Sequence, residues 1–219
     1  MKSYEQRPFA APEGATELVV VRHGASAPAF PGVAFDLLDG NSDPPLSDAG
    51  LEQAERVGER LADVPASRIF VTGLARTAQT AAPLVARLGL EPIEIPELRE
   101  VRLGDWEGAE FRIRVAERDP LAMRVLAEER WELIPGAEPM EGYAERVRAG
   151  FERMVGETGP GLAVAFLHGA VIGELCRQIT RSRPFAFVHN DNAAITRIVR
   201  MAGEITLLRS FNDRAHLEP

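Results

Sequence analysis

Leu18-Val19-Val20-Val21-Arg22-His23-Gly24 decides how the rest of the chain is read. Four consecutive apolar residues, three of them valine, predict a short strand buried on both faces, as in a parallel sheet. Arg22, His23 and Gly24 follow without a spacer, so charge and a turn arrive together at the strand's carboxyl end. The pattern recurs at Leu162-Ala163-Val164-Ala165-Phe166-Leu167, which runs into His168-Gly169. Another buried strand is predicted at Arg68-Ile69-Phe70-Val71-Thr72, leading through a short loop to Arg76. Ile93 and Ile95 mark a short strand. Two late strands, near 194–200 and 204–209, flank a turn at Ala202-Gly203.

Helical patterns separate these strands. Ser47 reads as an N-cap, with Leu51, Ala54, Val57, Gly58 and Leu61 following at spacings of three and four. A second helix is predicted over about 75–88 and a last one over 170–180. Shorter helical pieces fall near 110–118 and 120–131. A long helix over 139–157 carries the stripe Met140, Tyr143, Val147, Phe151 and Met154, the expected core face. The order β-α-β-α-β, helices, β-α-β-β predicts a three-layer α/β/α sandwich with a mainly parallel central sheet. Residues 1–16, rich in Pro, Ala and Glu, read as a loose arm, and 17–219 as a single domain. Residues 25–46, with four prolines, are too irregular for a packed element.

The 219 residues carry 25 basic and 33 acidic side chains, a net charge of −8. That field argues against nucleic acid or a membrane as partner. All basic residues but Lys2 are arginines, so an anion site must be built from Arg, His and backbone N–H groups. Cys176 is the single cysteine, which excludes an intrachain disulfide and a Cys-based zinc cluster; it reads as a small buried hydrophobe. No apolar run resembles a signal peptide or a membrane span, so the cytoplasm is the expected compartment.

In such a sheet, ligands bind outside the carboxyl ends of the strands. Parallel strands bring Arg22, His23, Arg76 and His168 to one edge, with Glu97, Glu100, Asp105 and Glu107 within reach of it. Neutral imidazole is a good nucleophile near neutral pH, and arginines around it favour the neutral ring while binding a dianion. Phosphoryl transfer needs the charge on three equatorial oxygens stabilised in place. Arg22, Arg76 and His168 suit that task while His23 attacks, and a carboxylic acid would protonate the leaving oxygen. His23 and His168 each follow a buried strand and precede a glycine, which sets the constellation above any single residue. No His-x-His or His-x-x-x-His pair supports a metal, and no nucleophile elbow or P-loop is present.

Leu18 to Gly24 resembles the signature of the histidine phosphatase superfamily, the phosphoglycerate mutase-like proteins. Asp43-Pro44-Pro45-Leu46-Ser47-Asp48-Ala49-Gly50 with Gln53-Ala54, Thr72 to Thr80, Leu98-Arg99-Glu100 with Gly104 to Gly108, Phe166 to Gly169, and Phe211 to Leu217 extend the similarity to about 17–217. The resemblance implies that His23 becomes phosphorylated and that Arg22, Arg76 and His168 bind the phosphoryl oxygens. Ser26 and Gly169 would join the phosphate-binding set. Glu100, four residues before Gly104, would be the general acid and then the base for water. No cofactor or metal is called for, and the partner is a small phosphorylated substrate.

Two positions depart from the family pattern. Ala25 stands where a Glu is usual, and Ala29 where an Asn amide would touch the phosphate; Asn41, Asn190 and Asn192 are candidates to replace it. Residues 30–42 lack the stretch typical of the glycolytic mutase. The reading is therefore a metal-independent phosphomonoester phosphatase, with a phosphoglycerate mutase or a catalytically silent phosphate-binding protein as alternatives. Specificity is expected from 25–46 and 104–137. The latter is a lid insertion on this reading, with Trp106, Phe111, Trp131 and Arg112, Arg114, Arg118 and Arg124 over the site. His189 is a candidate pocket residue and His216 a structural one. A homodimer is the commonest assembly, but no stretch marks an interface.

Overall fold

The computed structural model describes residues 3–202 and 205–218. In chain order the elements are β1 (Thr16–Arg22), β2 (Leu37–Leu38), β3 (Asn41–Ser42), α1 (Asp48–Arg60), β4 (Ala66–Val71), α2 (Ala75–Leu88) and β5 (Pro92–Glu94). There follow α3 (Glu110–Ala116), α4 (Pro120–Glu128), α5 (Met140–Thr158), β6 (Gly161–Leu167), α6 (Gly169–Thr180), β7 (Ile195–Arg200) and β8 (Thr206–Asp213). Gly203 and Glu204, from the expected turn and late strand, lie outside the described residues.

Among the described residues the main sheet has six strands in the order β5-β4-β6-β1-β7-β8. β5, β4, β6 and β1 pair in parallel; β7 runs against β1, and β8 against β7. The alternation of side chains along each strand divides the core in two. Leu18, Val20, Phe70, Ala163, Ala165 and Leu167 pack with α5 and α6 on one face. Val19, Val21, Ile69, Val71, Val164 and Phe166 pack with α1 and α2 on the other. β1 and β6 read as unbroken apolar runs because helices cover both of their faces. The expected stripe of α5 buries Tyr143, Val147, Phe151 and Met154, with Met140 half-buried at its start. Cys176 is fully buried, and burial pushes its thiol up to about 12, which keeps it an unreactive core residue.

Some boundaries move. Thr16 is buried and opens β1, so the sheet begins inside the segment read as an arm. Residues 25–46 hold a small hairpin, β2–β3, that was not expected. Its turn is Asp39-Gly40, both at positive φ (49° and 84°), the Asp-Gly signature of a two-residue hairpin turn. The prolines around that signal obscure it.

Ser47 caps α1 as expected, accepting from Gly50 N at 3.2 Å. Gly50 is needed for a different reason. A Cβ there would stand 2.0 Å from the Ala25 carbonyl oxygen, and a Cβ on Gly24 would stand 2.6 Å from the Gly50 oxygen. The two glycines let α1 press directly on the loop after β1, and so fix where that loop sits.

Candidate active site

The carboxyl ends of three neighbouring strands, β4, β6 and β1, deliver the polar residues. β1 ends at Arg22 and hands on to His23; β6 hands on to His168; β4 leads through Thr72 to Arg76 in the first turn of α2. The His23 and His168 rings lie 5.3 Å apart between centroids, tilted by 59°.

His23 is buried, and its Nδ1 lies 2.7 Å from the Gly24 carbonyl oxygen. A carbonyl only accepts, so Nδ1 carries the proton and Nε2 keeps its lone pair. Burial holds the ring's pKa well below the usual histidine range, with Arg76, Arg22 and Arg112 pushing the same way against the Gly24 hydrogen bond. The loop is tied down on every side. Gly24 N donates to Thr80 Oγ1 (3.0 Å), Ala25 N to Gln53 Oε1 (2.8 Å), and Asn192 Nδ2 to the His23 oxygen (3.0 Å).

His168 is fully buried, and its Nε2 lies 2.9 Å from Thr72 Oγ1. The Thr77 hydroxyl donates to the Leu74 oxygen (2.8 Å), so the Thr72 hydroxyl, 3.1 Å away, donates to Thr77. Thr72 is then left to accept from His168 Nε2–H. Nδ1 of His168 is buried without a protein partner, as is Nε of Arg22. Burial lowers the His168 pKa well below its ordinary range, reinforced by Arg76, His23, Arg22 and Arg146.

Both guanidiniums are braced from behind. Arg22 Nη1 donates to the Asn190 oxygen, and Gly169 lies against the Arg22 guanidinium, where a Cβ would come within 3.2 Å of Nε. Arg76 Nη1 donates to the Ser42 oxygen (2.7 Å) and faces Asp43 at 3.9 Å, while Asp43 accepts from Ala75 N at the start of α2 (2.8 Å). Burial lowers the pKa of each arginine, and Glu100 acts against that shift in both.

Glu100 lines the same cavity and accepts from Ala170 N at the start of α6 (3.3 Å) and from Val101 N (3.0 Å). Its backbone is clamped from below by Arg146 of α5, which donates to the oxygens of Glu97 (2.9 Å), Arg99 (2.7 Å) and Glu100 (3.0 Å). The buried Glu138 carboxylate holds Arg146 with two hydrogen bonds, of 2.6 and 2.7 Å. Glu97, by contrast, pairs with Arg153 away from the cavity wall. Glu107 lines the cavity, but its carboxylate is taken up by Leu103 N and by the amide and hydroxyl of Ser42.

The cavity measures about 350 Å³ and includes Arg22, His23, Arg76, Glu100 and Gly169 in its wall. His168 lies behind that wall, and so does Ser26, whose hydroxyl accepts from Arg112 Nη2 at 2.5 Å. Of the four arginines expected over the site, Arg112 alone is in the wall; Arg114 pairs with Glu110 and Asp119, and Arg124 with Glu128. The amide nitrogens of Asn41, Asn190 and Asn192 donate to backbone carbonyls. Arg112 is the further positive side chain in the wall, close enough to His23 to act on its charge. His189 is an exposed wall residue, and His216 is tied to the Ala193 oxygen (3.1 Å). Among the described residues no group of three or more His, Cys, Asp or Glu is placed to hold a metal ion. None of the described helices is long and apolar enough to cross a membrane.

The sequence pattern of the histidine phosphatase superfamily (branch 1) matches residues 18–213. Phosphoglycerate mutase-like protein 4 of Arabidopsis thaliana is 30% identical over 210 residues, 92% of this chain and 87% of that protein. The probable phosphoglycerate mutase GpmB of Photorhabdus laumondii is 30% identical over 207 residues, 88% of this chain and 94% of the relative. In fold, the phosphoglycerate mutase of Bacillus anthracis superposes with a TM-score of 0.78 at 22% identity, covering 94% of this chain and 96% of that one. A mycobacterial glucosyl-3-phosphoglycerate phosphatase superposes with a TM-score of 0.74 at 25% identity, covering 91% and 100%.

Proposed function

The chain belongs to the histidine phosphatase superfamily, branch 1, and from that premise we propose that it is a metal-independent phosphatase of small phosphomonoesters. His23 Nε2 attacks phosphorus as the bond to the alcohol oxygen breaks, and the Glu100 carboxyl gives its proton to that oxygen. The Glu100 carboxylate then takes a proton from water, whose oxygen attacks the phosphohistidine and releases inorganic phosphate. Arg22 and Arg76 stabilise the charge on the equatorial oxygens, His168 joins them through Nδ1–H once the bound dianion draws a proton onto that nitrogen, and Gly169 leaves room at the start of α6.

The observation that carries this reading is the state of His23. One ring nitrogen is committed to Gly24, the other is unprotonated, and two buried guanidiniums stand beside it. The unpartnered Arg22 Nε–H is the kind of buried donor that an anion satisfies, and His168 Nδ1, also unpartnered, is free to take up a proton beside a bound dianion. Ser26 acts by holding Arg112, which supplies a further positive donor to the phosphate end.

The test is chemical. Incubation with a ³²P-labelled phosphomonoester and an alkaline quench, which preserves phosphohistidine, traps label on His23. His23→Ala lowers turnover by about three or more orders of magnitude, because the nucleophile has no substitute. Turnover that continues without trapped label excludes the mechanism.

A mutase is the second reading, and the names of the Arabidopsis thaliana and Photorhabdus laumondii relatives favour it. The two differ in whether water or a second hydroxyl takes the phosphoryl group. Release of inorganic phosphate, measured against isomerised phosphoglycerate, separates them. The similarity to the mycobacterial phosphatase and the β2–β3 hairpin at 37–42, where the mutase stretch would lie, support the phosphatase.

A further inference from the structure

The cavity changes character along its length. Around His23 it is cationic; beyond Glu100 it is walled by Phe35, Leu103, Trp106, Phe111, Val115 and Trp131. These side chains form a braced aromatic row, with Phe111 edge-on to Trp131 at 5.7 Å, Trp131 against Phe185 at 4.4 Å, and the Arg114 guanidinium over Trp106 at 5.1 Å.

Three polar side chains of the wall near these rings, Asn41, Ser42 and Glu107, are already engaged. Asn41 donates to the Glu100 oxygen, Ser42 and Glu107 bond each other, and the Ser42 hydroxyl also accepts from Gly108 N (2.7 Å). Arg112 belongs to the phosphate end, close enough to His23 and Arg76 to act on their charge, and is held there by Ser26 Oγ (2.5 Å) and the Ala27 oxygen (3.0 Å). A substrate hydroxyl seated against Phe35, Leu103, Trp106, Phe111, Val115 and Trp131 would leave water and gain no partner from these side chains. Each such loss costs about 5- to 150-fold in affinity. An apolar ring in the same place gains about 10- to 100-fold from burial. At about 350 Å³ the cavity is near the small end of ligand sites, and the phosphate end takes part of it.

We propose that the alcohol half of the substrate is compact and apolar, about one ring in size. The chain then hydrolyses phosphomonoesters of such alcohols in preference to phosphorylated sugars, glycerates and other polyols. The preference deepens the phosphatase reading and rests on it for turnover, but not for binding.

The experiment has two arms. In the first, kcat/KM is measured for benzyl phosphate, glycerol 1-phosphate and 3-phosphoglycerate, all with primary alcohols as leaving groups. Benzyl phosphate is favoured by about 100-fold. In the second, calorimetry on the wild-type protein compares benzylphosphonate with 2,3-dihydroxypropylphosphonate, which cannot be hydrolysed, and the benzyl compound binds more tightly by a similar factor. Phe111→Ser, with Val115→Asn as an independent second variant, narrows the preference about tenfold and leaves inhibition by inorganic phosphate unchanged. Equal or reversed preference in either arm, or a preference that survives both variants, overturns the proposal. Discriminating binding without phosphate release from any ester overturns the phosphatase reading and leaves this one standing.

Discussion

Thr72 fixes a histidine from behind. It accepts from His168 Nε2–H because its own proton goes to Thr77, whose proton goes in turn to Leu74. Removing the hydroxyl leaves a buried imidazole N–H without a partner and frees the ring to change tautomer. Thr72→Val lowers kcat/KM about 10- to 100-fold and shifts its pH profile, while Thr72→Ser restores both; equal loss in the two variants would point to packing alone. At this scale the sequence was legible where a residue's own chemistry announced it. Arg22, His23, Arg76 and His168 stand at strand ends, where charge is costly unless it is used. The roles of Thr72, Thr80 and Gln53 are not legible, and Asn192, expected on the phosphate, holds the His23 carbonyl, because ordinary polar side chains gain a role only from partners that folding brings near. Arg112 fell between the two: its type was right, but three neighbouring arginines on 112–124 had the same credentials, and only the helix orientation separates them.

At the scale of elements, the segment carrying Glu100 has little regular structure of its own and borrows its position. Arg146 of α5 holds its backbone at three points, the oxygens of Glu97, Arg99 and Glu100, and Glu138 holds Arg146. Arg146→Met leaves the buried Glu138 carboxylate with only the Arg102 amide (3.3 Å) and the exposed Arg102 guanidinium at 3.9 Å, at a cost of about 3 kcal/mol in unfolding free energy. It also lowers kcat more than tenfold with little change in inhibition by inorganic phosphate, because the acid moves while the phosphate clamp does not. Arg146→Lys does not rescue it, since one ammonium cannot replace a planar fork with five donors. Denaturant melts with steady-state kinetics check both parts, and a parallel loss of phosphate affinity would count against the positioning role. Helices and buried strands could be read from periodicity and apolar runs. The β2–β3 hairpin could not, because two-residue strands are too short to show a period and only Asp39-Gly40 marks the turn.

For the whole molecule, two neutral histidines in the core tie stability to pH. His23 and His168 both have folded pKa values well below the ordinary 6.5. The unfolded chain therefore binds protons that the folded one refuses as pH falls below about 6.5, so stability is lost on acidification and is fully present above that range. Two such groups lower the unfolding free energy by about 2–3 kcal/mol between pH 7.5 and pH 5.5. Urea melts across that interval check the slope, and a flat profile would mean that one or both rings take up a proton in the folded state. The acidic surface and the small cationic cavity have separate tasks. The net charge of −8 repels polyanions at long range, and binding of one phosphate depends on short, bidentate contacts inside.

The chain has two tryptophans, Trp106 and Trp131, and both stand in the cavity wall. Its indole fluorescence, excited at the red edge where the two tyrosines do not absorb, therefore originates at the site. Occupancy of the aromatic end can be followed by emission from the unlabelled protein, with no background from indoles elsewhere, and stopped-flow mixing would time substrate entry and product departure directly.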